Sequence, residues 1–220
     1  DMEPLKVLLI NGSPNAKGCT YTALSEVAGI LEQEGISTEL IHVGNRDIRG
    51  CIACRSCKRK GTCVFDDIVN EVSPKLAACD GIVVGSPVYY ASANGTLTAF
   101  LDRLFYSCPA DKTMKVGAAV VSARRGGCSA TFDQLNKYFT ISGMPVASSQ
   151  YWNSVHGNTP QEVLQDEEGL QVMRTLGRNM AFFDQKHRPG QGGAGPSYQR
   201  GKDRHKLYPL RAVPSRVSRR

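Results

Sequence analysis

The stretch KVLLINGSPNAKGCTYTALSEVAGILEQEG, residues 6–35, joins a short apolar run to a helical pattern through a polar loop. The run KVLLI ends at Asn11 and Gly12, which predicts a buried strand followed by a turn. Apolar residues then recur at helical spacing up to Leu31, and Gly35 stands where a helix would end. A strand that leads directly into a helix is the repeating unit of a parallel α/β sheet.

The same alternation continues along the chain. Further strands are predicted at 37–43, 81–90, in the first part of 115–127 and at 144–152, and further helices at 67–79, 95–106, 128–143 and 167–183. Five strands that alternate with five helices predict one doubly wound parallel sheet in a three-layer α/β domain. Continuous apolar runs such as GIVVG and GAAVV are typical of strands that are covered on both faces.

The charge of the chain is unevenly distributed. Ten of the 27 Lys and Arg residues and one of the 20 Asp and Glu residues lie in 186–220, which leaves 17 bases against 19 acids in 1–185. We therefore expect a folded domain over 1–185 and a basic Gly/Pro/Arg-rich tail over 186–220. The near-neutral domain gives no basis for nucleic-acid binding.

Two further features of the sequence concern where in the cell the protein is found. No apolar run approaches the roughly 20 residues needed to cross a bilayer, and no export signal is visible at the start of the sequence. We therefore expect a cytoplasmic protein with no membrane partner, in which thiols stay reduced.

Three of the predicted strand ends carry unusual loops, NGSPNAKGCT at 11–20, SPVYYASANG at 86–95 and SARRGGCS at 122–129. Ligands of doubly wound sheets bind beyond the carboxyl ends of the strands, where these loops meet. The first loop combines hydroxyls, glycines and a helix N-terminus, which suits a phosphate group. It has neither the GxxxxGK[ST] nor the GxGxxG pattern, and a helix merely capped by hydroxyls is the alternative interpretation.

Three motifs together resemble the flavodoxin-like NAD(P)H-dependent FMN reductases, with the iron–sulfur flavoproteins as the closest branch. They are NGSPNAKGCTYTAL at 11–24, GSPVYYASANGTLTAFLDRL at 85–104 and NSVHG at 153–157, and the resemblance covers about residues 5 to 183. It implies a flavodoxin-like sheet with the strand order 2-1-3-4-5, FMN as cofactor and NAD(P)H as co-substrate. It also implies a small-molecule electron acceptor and a homodimer or homotetramer.

The resemblance assigns FMN to the three loops. The first would bind the 5′-phosphate, the second would pack on the isoalloxazine ring with two tyrosines as flat walls, and the third would place amides and an arginine near the pyrimidine edge. The residues concerned are Ser13, Asn15, Lys17, Gly18, Cys19, Thr20 and Thr22, then Pro87, Val88, Tyr89, Tyr90 and Ser92, then Ser122, Arg124, Arg125, Gly126 and Gly127.

Some of these positions have competing interpretations. Asn15 and Cys19 stand where family members commonly have Arg and Asn, and Lys17 would restore the missing charge. The tyrosines can instead be hairpin or core residues, and the two arginines can simply be solvated. His156 is the candidate for contact with substrate or nicotinamide, although the flavin itself carries the hydride chemistry. Asp102 and Arg103 are interpreted as a structural pair, exposed or at an interface.

The segment CIACRSCKRKGTC places Cys51, Cys54, Cys57 and Cys63 within 13 positions. Four thiolates at this spacing can bind a [4Fe–4S] cluster, whereas zinc sites usually combine two well-separated CxxC pairs. The spacing equals that of the compact cluster motif of iron–sulfur flavoproteins, but related FMN reductases keep a similar run without a cluster.

Three functions therefore stay open. The first is an NAD(P)H-dependent FMN reductase. The second is an iron–sulfur flavoprotein that passes electrons from ferredoxin through a cluster to FMN. The third is a non-catalytic zinc-binding interaction module.

Overall fold

The computed structural model describes residues 4–186, and strands and helices alternate along this range as the sequence predicts. The elements are β1 (Lys6–Asn11), α1 (Cys19–Gln33), β2 (Ser37–His42), α2 (Ser56–Lys60), α3 (Ile68–Ala78), β3 (Gly81–Tyr89), β4 (Ser92–Ala93), α4 (Gly95–Ser107), β5 (Val116–Ala123), α5 (Cys128–Ile141), β6 (Ser154–His156), α6 (Pro160–Val163) and α7 (Glu167–Lys186). The chain divides into two units between residues 188 and 189. The second unit, and with it nearly all of the predicted basic tail, lies outside the described residues.

The central sheet has the strand order β2-β1-β3-β5-β6, and every neighbouring pair on this path is parallel. Strand β1 lies between two neighbours, so that Leu9 pairs with Leu40 on one side and with Val83 on the other. The two-residue β4 pairs antiparallel with the end of β3 and does not extend this path. The predicted order of the five parallel strands, 2-1-3-4-5, is confirmed.

Helices cover both faces of the sheet because neighbouring strand residues point to opposite sides. Leu9 and Val83 belong to a core cluster that includes residues of α1 and α7. Ile10 and Val84, the next residue in each strand, belong to a second cluster with residues of α3, α4 and α5. This arrangement gives the predicted three layers.

The predicted last strand, at 144–152, is misplaced. Val146 forms only an isolated parallel bridge with Gly117, and the strand that joins the sheet is Ser154–His156. The Ser149 hydroxyl donates to the carbonyl of Tyr151 at 2.7 Å, which turns the chain away from the sheet edge. The chain returns at Asn153, whose buried side chain donates to the carbonyl of Ala119 at 3.0 Å.

No helix within residues 4–186 has both the length and the apolar character that a bilayer crossing requires.

Candidate functional site

The first loop runs from β1 to α1 and leaves amide donors free at the start of the helix. Ser13 is 5 % exposed, its amide donates to Asn11 Oδ1 at 3.0 Å, and its hydroxyl accepts from the amide of Asn15 at 3.2 Å. Gly18 caps α1 without a side-chain hydrogen bond, and the first turn has no acidic residue. The exposed side chain of Lys17 adds a positive charge to the loop. The helix start can therefore bind an anion such as a phosphate.

The two threonines of this loop have different environments. Thr20 Oγ1 and Ser122 Oγ share a buried hydrogen bond of 2.8 Å, which joins the first loop to the third. Thr22 Oγ1 instead donates to the carbonyl of Gly18 in its own helix, at 3.2 Å. Cys19 donates its thiol hydrogen to the carbonyl of Gly157 at 3.6 Å, and burial raises the pKa of Cys19.

The base of the first loop is held against both neighbouring strands. The Gly12 amide donates to the carbonyl of Gly85 in β3 at 2.9 Å. A Cβ atom on Gly12 would lie 2.5 Å from Leu97 Cδ2, so only glycine permits this approach. On the other side, His42 Nε2 lies 2.7 Å from the carbonyl oxygen of Ser13, a contact that gives this histidine a structural role.

The second loop is a tight hairpin between β3 and β4, and it presents two tyrosines to solvent. Tyr90 and Ala91 occupy the turn with left-handed φ angles of 52° and 56°, a conformation that non-glycine residues rarely adopt. The Tyr90 side chain is fully exposed and Tyr89 is 46 % exposed. Ser92 anchors the hairpin by donating its hydroxyl to Gln134 Oε1 in α5, at 2.9 Å.

The third loop leaves β5 and packs against the hairpin. Gly127 adopts a φ of +95° before α5, and a Cβ atom there would lie 2.9 Å from Val88 Cγ1 and 3.0 Å from Ala91 Cα. Arg124 and Arg125 are exposed. The structure thus brings the three predicted loops together, the first and third through hydroxyls and the second and third through backbone packing.

His156 ends β6 beside the third loop. Its ring is about half exposed, with Nε2 3.7 Å from Cys128 Sγ and Nδ1 3.7 Å from Asp166 Oδ2. Burial raises the pKa of Cys128, and hydrogen bonds from its own backbone amide and with Ser154 partly offset that effect. The partners Cys128 and Asp166 were missed in the sequence, because no local pattern links residues that lie 28 and 10 positions away from the histidine.

The four clustered cysteines line one recess on the α4 side of the molecule. Cys51 and Cys54 are exposed, and Cys57 and Cys63 are partly buried. Apolar walls come from side chains around them, namely Ile52, Val64, Phe65 and Tyr106. All eight cysteines lie within the described range and none forms a disulfide.

The recess supplies the donor set of a [4Fe–4S] cluster. Four cysteines line the recess, and Ala53 and Arg55 between them take left-handed φ angles of 54° and 58°. Such backbone conformations are characteristic of the concave loops that bind anions and iron–sulfur clusters. Across residues 4–186, no three Cys, His, Asp or Glu side chains converge closely enough to hold a metal ion. The four cysteines match a cluster in type and number, and their side chains do not converge as metal ligands in this structure.

The interpretation of Arg103 as half of an exposed or interface pair is wrong. Arg103 is 1 % exposed and forms an ion pair of 2.7 Å with Asp67. Burial lowers its pKa, but hydrogen bonds to Asp67 and Cys63 outweigh that effect and leave the pKa raised. Asp102 points elsewhere and accepts a hydrogen bond from the hydroxyl of Tyr138. Successive helical residues are about 100° apart, so one of the two faces the cysteine recess and the other faces α5.

Comparison with known proteins agrees with this architecture. Residues 5–159 match the family described as NADPH-dependent FMN reductase. An iron–sulfur flavoprotein of Methanocaldococcus jannaschii is 34 % identical over 188 residues, which cover 80 % of this chain and 96 % of that protein. The chain therefore belongs to the NADPH-dependent FMN reductase family, in its iron–sulfur flavoprotein branch.

Solved structures with low identity show the same fold. An NAD(P)H:quinone oxidoreductase from Methanothermobacter marburgensis aligns with a TM-score of 0.63 at 15 % identity, over 81 % of this chain and 96 % of that one. An archaeal flavodoxin aligns with a TM-score of 0.57 at 16 % identity, over 82 % of this chain and 99 % of that one. The predicted family, branch and flavodoxin-like fold are confirmed, and the family supports FMN as the cofactor. The individual contact residues stay predictions.

Proposed function

We propose that this protein is an FMN-dependent oxidoreductase that takes hydride from NAD(P)H and reduces a small acceptor. The acceptor classes are quinones, nitro and azo compounds, free flavins and metal ions. The hydrogen bond of 2.8 Å between Thr20 and Ser122 is the observation that supports this proposal most. It joins the loop suited to a phosphate to the loop proposed for the pyrimidine edge, at the carboxyl ends of β1 and β5, which lie on either side of β3.

Each loop has a distinct task in this proposal. The free amides at the start of α1, the Ser13 hydroxyl and the Lys17 ammonium bind the 5′-phosphate. The rings of Tyr89 and Tyr90 pack on the isoalloxazine, and Arg124 or Arg125 supplies positive charge at its pyrimidine edge. When bound, FMN supplies the hydride and single-electron chemistry, while the protein orients the ring and the substrates.

His156 is the side chain proposed to contact the acceptor or the nicotinamide. Its half-exposed ring lies beside the third loop, and the Asp166 carboxylate, 3.7 Å from Nδ1, orients it. An imidazole at this position can hold a proton at Nε2 and deliver it to an acceptor that gains electrons.

The anaerobic reaction with a nicotinamide tests the proposal. Protein saturated with FMN is mixed with NADPH, or separately with NADH, in a stopped-flow instrument, and absorbance is followed near ~450 nm. Bleaching on the time scale of catalytic turnover supports the oxidoreductase. FMN that binds but is not bleached by either nucleotide refutes the hydride step and leaves the binding site intact.

The cysteine recess favours a second candidate function, electron transfer from ferredoxin through a [4Fe–4S] cluster to FMN. Residues Cys51, Cys54, Cys57 and Cys63 would hold the cluster, and α4 connects their recess to the hairpin. Arg103 at the recess lies eight positions after Gly95, which is next to the hairpin, and this is about 12 Å along the axis of α4. Anaerobic purification, followed by iron and zinc analysis, separates this candidate from the zinc-binding module.

A homodimer or homotetramer also belongs to the proposal. The rings of Tyr151 and Trp152 are in tilted contact with their centres 5.0 Å apart, and both side chains are more than half exposed near His156. Exposed aromatic pairs are enriched in protein interfaces. Sedimentation velocity of the wild type and of Trp152→Ser tests whether this patch joins subunits, since a monomeric wild type would refute it.

A further inference from the structure

The guanidinium of Arg103 lies between the two ends of the cysteine loop and is shielded from solvent. Its two terminal nitrogens donate to the two carboxylate oxygens of Asp67, at 2.7 and 2.9 Å. They also donate to the carbonyls of Arg49 at 3.2 Å and Phe65 at 3.4 Å, on either side of the loop. The remaining donor, Nε, reaches Cys63 Sγ at 3.3 Å.

These contacts give all five N–H donors of Arg103 an acceptor. A buried guanidinium needs a counter-charge, and Asp67 provides it through two parallel hydrogen bonds. The contact with Cys63 is therefore additional to charge neutralisation. The guanidinium is planar and rigid. Because Asp67 binds its two terminal nitrogens, the Nε–H bond points at the sulfur of Cys63.

Arg103 also contacts an aromatic ring in the wall of the recess. The Phe65 ring has Arg103 at 5.0 Å and Arg49 at 5.1 Å from its centre. Both cations therefore hold the segment that immediately follows Cys63. Arg103 therefore contacts both the sulfur of Cys63 and the ring of Phe65.

We propose that Arg103 is the positioning residue of the cysteine recess. It holds the sulfur of Cys63 through the Nε–H···Sγ contact and thereby sets the retention and the reduction potential of a [4Fe–4S] cluster on the four cysteines. This inference rests on the proposed cluster. A hydrogen bond to a ligand sulfur raises the reduction potential, because it stabilises the more electron-rich reduced state.

The test compares Arg103→Lys with Lys60→Gln in anaerobically reconstituted protein. Arg103→Lys keeps the buried positive charge but loses the planar guanidinium and its Nε donor. Lys60→Gln removes an exposed charge three residues from Cys63 and leaves the contact with the sulfur unchanged. The readouts are the midpoint potential from an EPR titration and the half-time of iron loss to a chelator. We expect a more negative potential and about tenfold faster iron loss for Arg103→Lys, and little change for Lys60→Gln.

Wild-type potential and iron retention in Arg103→Lys would overturn the proposal, as would an equal shift in Lys60→Gln. A wild-type protein that takes up no iron on reconstitution would instead refute the cluster. The contact between Arg103 and Cys63 is then tested in the apoprotein, by a double-mutant cycle of Arg103→Lys and Cys63→Ala measured by urea unfolding. Their effects on the unfolding constant should depart from additivity by at least about twofold, and additivity overturns the contact.

Asp67→Asn keeps the proposal testable if Arg103→Lys does not fold. An asparagine at this position can still cap α3, where Asp67 Oδ1 accepts from the amide of Val69 at 3.1 Å. An asparagine can no longer accept both parallel hydrogen bonds, so the guanidinium loses the contact that directs its Nε–H at Cys63. Iron loss should then be faster than in the wild type, as in Arg103→Lys, and wild-type iron retention overturns the proposal.

Discussion

The hydroxyl oxygens of Thr20 and Ser122 lie 2.8 Å apart in a buried position, although 102 residues separate them in the chain. Thr20 lies in the first turn of α1 and Ser122 near the end of β5. The contact ties two loops of the proposed flavin site to each other, so the site is held by the packing of α1 across the carboxyl ends of the sheet.

Replacing Thr20 by valine tests this tie. Thr20→Val keeps the shape but leaves the Ser122 hydroxyl unpaired, so we expect a loss of about 1–3 kcal/mol in unfolding free energy and about tenfold weaker FMN binding. Thr98→Val is the matched control, because the Thr98 hydroxyl donates to the carbonyl of Gly95 within its own helix and Thr98 is not among the residues assigned to FMN. Flavin fluorescence titration and urea unfolding measure both effects. Equal losses in the two variants would contradict the role given to Thr20.

Gly127 should not tolerate a side chain. Gly127→Ala combines a left-handed φ of +95° with a Cβ atom 3.0 Å from Ala91 Cα. We expect a loss of about 1–3 kcal/mol in unfolding free energy and weaker FMN binding, because the hairpin must move away from the third loop. Gly126→Ala is the control, since a Cβ atom there meets nothing within 4 Å. Urea unfolding curves of the two variants should differ, and identical curves would rule out close packing at Gly127.

The turn residue Tyr90 should show opposing effects on stability and binding. Tyr90→Gly relieves a left-handed φ of 52° and is expected to raise the unfolding free energy by about 1 kcal/mol. The same change removes a stacking ring, so FMN affinity should fall roughly three- to tenfold. Ala91→Gly relieves the neighbouring φ of 56° without removing a ring and should keep its affinity. Unchanged FMN affinity in Tyr90→Gly would exclude Tyr90 from the flavin site.

Asp184 makes stability depend on pH. Burial, together with repulsion from Asp80, raises the pKa of Asp184 from 3.8 to about 7. The folded protein therefore binds this proton more tightly than the unfolded chain, and stability falls as pH rises between these two values. Asp184→Asn should match the wild type near pH 4 and exceed it above pH 7 by at most about 4 kcal/mol.

The measurement for Asp184 is urea unfolding from about pH 4 to about pH 8. Taking the difference between variant and wild type at each pH cancels the other titrating groups. Asp133→Asn replaces an exposed carboxylate and serves as the control. A difference for Asp184→Asn that does not grow with pH would contradict the raised pKa.

Local patterns predicted most of the fold, because each depends on residues close in sequence. The apolar runs and helical spacing identified the first four parallel strands, which lie where predicted, and the five main helices. The last strand was misplaced because Pro145 and the Ser149 turn interrupt a run that looks strand-like, while the residues that join the sheet, Ser154–His156, form too short a run to show a period.

The amino-acid sequence by itself determined the alternation of elements, the family, the three loops and the four cysteines. Only the tertiary structure decided which side chains of those segments meet. Arg103 contacts Cys63 across 40 residues, and Ser122 contacts Thr20 across 102. The physical reason is that burial and backbone hydrogen bonding within one helix or strand repeat at a fixed spacing, which the sequence shows directly. A contact between distant loops depends instead on how helices and strands pack against one another.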